Sequence, residues 1–169
     1  AVAVIGRLEI ETPEVTPSPR EFGYRNRITL VLRRRRGVID FGYHALGDPS
    51  QLVAIERCPL AEDPLNGVLT AVSAAALKIA GAMPRDGEWR FALRVSSEGR
   101  VGLAIEGVKR PADIDRAILA ELLQNGIVAV WMVSEKGRII AHAGEETLAE
   151  KWGVYEVPLA GTAFVQVNR

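Results

Sequence analysis

The hydrophobic positions fall first into a period of two. Phe22, Tyr24, Ile28, Leu30 and Leu32 share one face of an alternating run, with Arg25, Arg27 and Arg33 on the other, which predicts a strand over 22–33. Residues 34–37 read as a turn and 38–45 as the returning strand, so the pair forms a hairpin with one arginine face. A third short strand is predicted over 51–57, ending at Cys58-Pro59. The period then becomes helical through Leu65, Val68, Leu69, Val72, Ala76, Ile79 and Met83. Asp63 is the expected N-cap, Pro64 fits the first turn, and Gly81 with Pro84 closes the helix. A second hairpin is predicted over 88–96 and 100–106, and a second helix over 111–124 with Ile114, Ile118, Leu122 and Leu123 inward and Asn125-Gly126 as its stop. Residues 127–134 and 138–143 read as a third hairpin, and 155–158 and 164–167 as further short strands. Residues 1–10 read as the tail of an element and 11–19, with three prolines, as an extended lead-in. Hairpins interleaved with two helices predict an α+β fold: a mostly antiparallel sheet built from hairpins, with two helices packed on one face.

Length and composition narrow the function classes. A chain of 169 residues, 48% hydrophobic and 25% charged, has room for one domain with its own core. One cysteine excludes an intrachain disulfide and cannot by itself build a zinc or iron–sulfur site. No apolar run reaches the ~18–20 residues of a membrane span, and no basic-then-apolar leader opens the chain. The expectation is therefore a cytoplasmic protein without a membrane partner. Twenty-one basic residues balance twenty-one acidic ones, which argues against a uniformly basic nucleic-acid coat. The balance conceals a cluster, because seven arginines lie between Arg20 and Arg36 against the single acid Glu21. Only four of the basic residues are lysine, and arginine's planar fork suits phosphate and base recognition. The plainer account of such a hairpin is a solvated edge strand protected by charge. His44 and His142 have no partner at informative spacing, and Trp89, Trp131 and Trp152 fit core or lid positions.

Three separated pieces carry a resemblance. Phe22-Gly23-Tyr24-Arg25-Asn26-Arg27 opens the first hairpin, Cys58-Pro59-Leu60 followed by Asn66 leads into the first helix, and Phe164-Val165-Gln166-Val167-Asn168 ends the chain. In this order they resemble the RNA (uracil-5-)-methyltransferase family, which covers tRNA and 23S rRNA enzymes, over its central region only. The return strand Asp40-Phe41-Gly42-Tyr43 departs from the family's pattern, with tyrosine where a basic residue is common. The resemblance implies that residues 1–160 form the central, RNA-contacting domain and that 161–169 begin the S-adenosylmethionine-dependent catalytic domain. The cofactor loop, the catalytic thiol and the general base come after the last motif in that family. No catalytic residue is therefore expected within these 169 residues.

What the family does then bears on single residues. The implied parent reaction is methyl transfer to C5 of a uridine in rRNA or tRNA, by addition of a thiolate to C6 and later loss of the C5 proton. The target base must be unstacked, so Phe164 is implied as a stacking surface and Gln166 as a hydrogen-bonding partner of the uracil edge or of the cofactor. Arg25, Asn26 and Arg27 are implied as RNA contacts from the hairpin. Some members hold a [4Fe–4S] cluster with four cysteines, and Cys58 would be its orphan ligand here. The implied partners are RNA, S-adenosylmethionine and the chain's own catalytic domain. A rival reading of the same hairpin is a stand-alone RNA-binding module without catalysis.

Overall fold

The computed structural model describes residues 2–5, 8–11 and 19–161, with the single positions 14, 17 and 163. Two short strands, β1 (Val2–Ile5) and β2 (Leu8–Glu11), pair with each other. The main body runs β3 (Arg27–Arg35), β4 (Val38–Ala45), β5 (Asp48–Val53), α1 (Asp63–Ile79), β6 (Gly87–Val95), β7 (Val101–Glu106), α2 (Arg116–Gln124), β8 (Ile127–Val133) and β9 (Ile139–Gly144). A last hairpin, β10 (Leu148–Trp152) and β11 (Tyr155–Leu159), follows. Seven strands make one sheet in the order β5-β4-β3-β6-β7-β8-β9.

Alternation in the sequence becomes two different faces of this sheet. Ile28, Leu30 and Leu32 of β3, Phe91, Leu93 and Val95 of β6, and Leu103 and Ile105 of β7 point to the face that both helices cover. α1 buries Leu65, Val68, Leu69, Val72, Ala76 and Ile79 there, the stripe expected of its 3.6-residue period. With its terminal turn, Asp63–Ala82 is 20 residues long at a hydropathy of 1.4, which meets the length and composition of a membrane span. The same apolarity is what a central core helix needs, and its buried residues lie against the sheet. The opposite face carries Arg27 and Arg33, Arg90 and Arg94, Glu106, and a second small core of Ala92, Ala104, Ala129, Trp131, Val133 and Leu148.

The fold class is α+β as expected, but the sheet is mixed. β7 and β8 are parallel, whereas the other five neighbouring pairs are antiparallel. The α2 crossover is the reason: it returns the chain to the end of the sheet from which β7 started. Four local readings also change. The first strand begins at Arg27, because Arg25 leaves the ladder to bridge Ala61 and Phe22 is 63% exposed. The third strand covers Asp48–Val53 rather than 51–57. The second helix splits into one 3-10 turn, Pro111–Asp113, and α2. Asp115 makes that break by accepting the Ala117 N–H at 2.8 Å, while Ile114 turns inward. At α1 the N-cap is Glu62 rather than Asp63, since the Glu62 N–H is held by the Arg25 carbonyl at 3.0 Å. The strand expected over 164–167 lies outside the described residues.

Trp131 fixes the helix-free side. Its ring occupies the notch left by Gly102, where a Cβ would stand 2.5 Å from ring atoms, and its Nε1–H donates to the Glu146 carbonyl at 2.7 Å. At the far end of β3, Arg36 (φ 50) and Gly37 (φ 84) make the tight turn into β4. Arg36 is the single non-glycine residue at positive φ among those described, a geometry that costs an arginine on the order of 1 kcal/mol. Gly102→Ala is expected to lower stability by about 1–3 kcal/mol, through displacement of the Trp131 ring. A urea midpoint equal to that of the unsubstituted chain would show that the notch does not confine the ring.

Candidate functional site

The first two motif segments meet at one end of the sheet. The Gly23 N–H donates to the Pro59 carbonyl at 2.9 Å and the Arg25 N–H to the Leu60 carbonyl at 2.8 Å, so the first segment is laced to the second. Asn66 locks that second segment from α1: its Oδ1 accepts the Cys58 N–H at 2.8 Å and its Nδ2 donates to the Cys58 and Ala61 carbonyls at 3.2 Å. The third segment, with Phe164 and Gln166, lies outside the described residues. Its approach is described as far as Ala163, whose carbonyl accepts a hydrogen bond from the Arg94 guanidinium. Arg94 stands directly opposite Arg27 in the β3–β6 ladder. The chain leading to Phe164 therefore arrives beside the strand that begins at Asn26-Arg27.

Arg94 is the residue that sequence reasoning missed. It is only 5% exposed, and burial pushes its pKa down, with the Arg27 charge adding to that effect. The charge of Glu150, itself 2% exposed, opposes the shift. Glu150 also accepts the Ser97 N–H at 3.1 Å, and Ser97 Oγ accepts the Lys151 N–H at 2.8 Å. Through these groups the β10–β11 hairpin is clasped onto the β6–β7 turn, with a further ion pair between Arg100 and Glu145. Nothing near Arg94 in the chain announces its burial, because the covering strand comes more than fifty residues later.

The other expected site residues have separate surroundings. Arg25 is exposed, its guanidinium 5.9 Å from the centre of the Tyr24 ring. Asn26 is buried, and its carbonyl accepts the Val95 N–H at 2.9 Å. Arg27 is half-buried, 3.8 Å from the Glu106 carboxylate, which Arg90 also approaches at 3.8 Å. Cys58 is buried, with its thiol beside the Tyr43 hydroxyl. Burial, and then the hydrogen bond and charge of Cys58, push the Tyr43 pKa well above its ordinary value. Among the described residues no group of three His, Cys, Asp or Glu side chains could hold a metal ion. One buried thiol, in a chain with a single cysteine, does not fit a [4Fe–4S] cluster.

The rest of the arginine cluster divides by role. Arg33 donates to Glu88 at 2.8 and 2.9 Å and to the Ser50 and Pro49 carbonyls at 2.8 and 3.2 Å, which ties β3 to β6 and to the start of β5. Arg34 donates to the Ala80 and Met83 carbonyls at 3.3 and 3.2 Å, beyond the end of α1. Both serve the fold. Arg35 and Arg36 form no side-chain ion pair with any described residue.

Comparison with known proteins gives a class first. No family model matches the chain. An RNA methyltransferase of Thermosynechococcus vestitus, itself uncharacterised, is 38% identical over 76 residues, which is 44% of this chain and 17% of that protein. In this stretch the chain is similar to an RNA methyltransferase. The crystal structure of Pyrococcus abyssi tRNA (uracil-54, C5)-methyltransferase in complex with S-adenosyl-L-homocysteine has the same fold over 92% of this chain, with a TM-score of 0.65 at 17% identity. The chain spans 39% of that enzyme and less than a fifth of the curated relative. The curated likeness relates the matched stretch to an RNA methyltransferase, and the solved structure shows the fold.

Two outcomes test this geometry. Arg94→Met removes the buried guanidinium that donates to the Ala163 carbonyl and should cost about 1–3 kcal/mol in urea unfolding; a loss near zero would show that this buried hydrogen bond does not stabilise the fold. Because the folded state holds the Tyr43 proton more tightly, its stabilising contribution is intact below the ordinary tyrosine pKa of 10.0 and is lost as pH rises above it. Absorbance near 295 nm should accordingly show one tyrosine ionising only with unfolding, a phase absent from Tyr43→Phe.

Proposed function

We propose that this chain is the central region of an S-adenosylmethionine-dependent RNA uracil-5-methyltransferase, a protein that methylates C5 of a uridine in tRNA or rRNA. The observation that carries the reading is the convergence of the Gly23–Arg27 and Cys58–Asn66 segments, beside the approach to Phe164, in a chain whose sequence matches an RNA methyltransferase. The fold neighbour, a tRNA uracil-C5 enzyme bound to S-adenosyl-L-homocysteine, supports the same choice.

In this reading residues 1–160 form the RNA-contacting domain and 161–169 lead into the cofactor domain. Phe164 stacks on the extruded uracil, and Gln166 hydrogen-bonds the base edge or the cofactor. The cofactor supplies the electrophilic methyl group, and these residues' own task is to bind and orient the base. Arg25, exposed beside Tyr24, meets the RNA backbone, and Arg27 holds the strand start under the base. The rigid lacing by Asn66 keeps that edge in place while a base is drawn out of its stack.

The test is methyl transfer from tritiated S-adenosylmethionine to transcribed tRNA and rRNA, followed by nuclease digestion and chromatography. The complete protein containing these residues should yield 5-methyluridine, and residues 1–169 alone should neither transfer methyl groups nor bind the cofactor. Micromolar cofactor binding by the 169 residues, measured by calorimetry, would overturn the division of labour. RNA binding by the complete protein without any methyl transfer would favour a stand-alone RNA-binding module instead.

A further inference from the structure

The two ends of the sheet differ in charge. At the end where the first two motifs meet, the connections 54–63, 96–100 and 145–147 carry Glu56, Glu62, Asp63, Glu98, Glu145 and Glu146. Among the described residues, the segment leading into β3 adds Arg20, Glu21 and Arg25, and Arg57 and Arg100 oppose the acids there. The opposite end reverses the sign. The β3–β4 turn supplies Arg35 and Arg36, the α1–β6 connection Arg85, the β7–α2 connection Lys109 and Arg110, and the β8–β9 turn Lys136 and Arg138. Asp86, Asp113, Asp115 and Glu135 are the acids of those connections. Lys109 and Arg110 are engaged with Glu135 and Asp113 at 3.5 and 3.0 Å. Arg35, Arg36, Arg85, Lys136 and Arg138 make no side-chain ion pair with any described residue.

The free guanidiniums are concentrated at the hairpin tip, and a concavity lies between them. Arg34, Arg36, Gly37, Arg85 and Asp86 line a hollow of about 410 Å³, and an adjoining one of about 460 Å³ reaches Arg33 and Glu88. Asp86 spends one carboxylate oxygen on the Arg36 backbone N–H at 3.2 Å, which fixes the turn against the start of β6. Arg33 and Arg34, held by carbonyls and Glu88, form the rigid floor. Arg36 occupies its left-handed position where asparagine or glycine is the cheaper choice, so the turn carries strain together with charge.

We propose that this tip, centred on Arg36 and Arg85, is a docking surface for the phosphates of an RNA strand, distinct from the motif cluster at the other end of β3. The proposal rests on the RNA reading of the motif end and adds a second contact, roughly 30 Å away along the nine-residue strand. A polyanion suits the surface better than an isolated acid. The cationic loops follow one another from β3 to β9 across roughly 20 Å of strand spacings, and guanidinium forks pair phosphate oxygens bidentately.

Fluorescence anisotropy of the 169-residue chain with a labelled tRNA transcript, between about 50 and 300 mM KCl, tests the surface. The double variant Arg36→Asn, Arg85→Gln should bind about tenfold more weakly and lose about two from the slope of log affinity against log salt. Its urea midpoint should equal or exceed that of the unsubstituted chain, because asparagine relieves the turn. Unchanged affinity and slope would overturn the surface, as would absence of RNA binding by the unsubstituted chain. Salt-sensitive self-association of the chain without RNA binding would also overturn it, and would assign the charged end to another copy's acidic end. Loss of binding in Arg25→Ala, with none in the double variant, would place the RNA at the motif end alone. Methyl transfer by the complete protein is scored separately, so the surface can fail while the proposed activity stands.

Discussion

Arg94 lies nearly inaccessible on a sheet face that no helix covers, and much of the molecule is arranged around keeping its charge there. A seven-stranded sheet with two helices buries one face and leaves the other to be closed by something else. Here the closure is made by a short hairpin brought in from the end of the chain, seated on alanines, on the Gly102 notch and on Trp131. Apolar contact over such small side chains is thin, and the hydrogen bonds of Glu150 and Lys151 to Ser97 give the hairpin a defined position. The Arg94 guanidinium reaches the Ala163 carbonyl on the same face, so the chain beyond β11 is held beside the strand that begins at Arg27.

A second arrangement follows from how the arginines are used. Seven of them in seventeen residues look uniform in the sequence, yet their environments differ sharply. Arg33 and Arg34 are spent on Glu88 and on carbonyls, Arg27 shares Glu106 with Arg90, and Arg25 lies over an aromatic ring. What remains uncommitted is at the tip of the hairpin. Backbone acceptors at the end of α1 and at the start of β5 would otherwise face solvent, and arginine is long enough to satisfy them while its stem covers apolar surface.

Elements with strong periodicity were legible from the sequence alone. β4, β6, β8, and α1 taken with its terminal turn lie within a residue or two of their expected bounds because their apolar stripes are long and nothing remote competes with them. β10 escaped because Glu150, charged and buried, interrupts the alternation that would have marked a strand. The parallel pairing of β7 with β8 is a property of the crossover and leaves no trace in either strand's pattern. For the site, the first two motifs were singled out by their residues, but nothing in the chain's pattern announces their lacing to one another. Arg94 was not singled out either, because the strand that buries it lies more than fifty residues further along the chain. Phe164 and Gln166 lie outside the described residues, and their roles rest on the family resemblance.

The separation of charge along β3 gives the overall balance of 21 against 21 a different meaning. A body with no net charge is neither drawn to nor driven from a distant polyanion as a whole, but opposite forces at its two ends exert a torque. The molecule turns before it touches. Long-range electrostatics in such a chain act mainly on which end leads in an encounter, and this bias fades as salt shortens the reach of the field below the length of the strand.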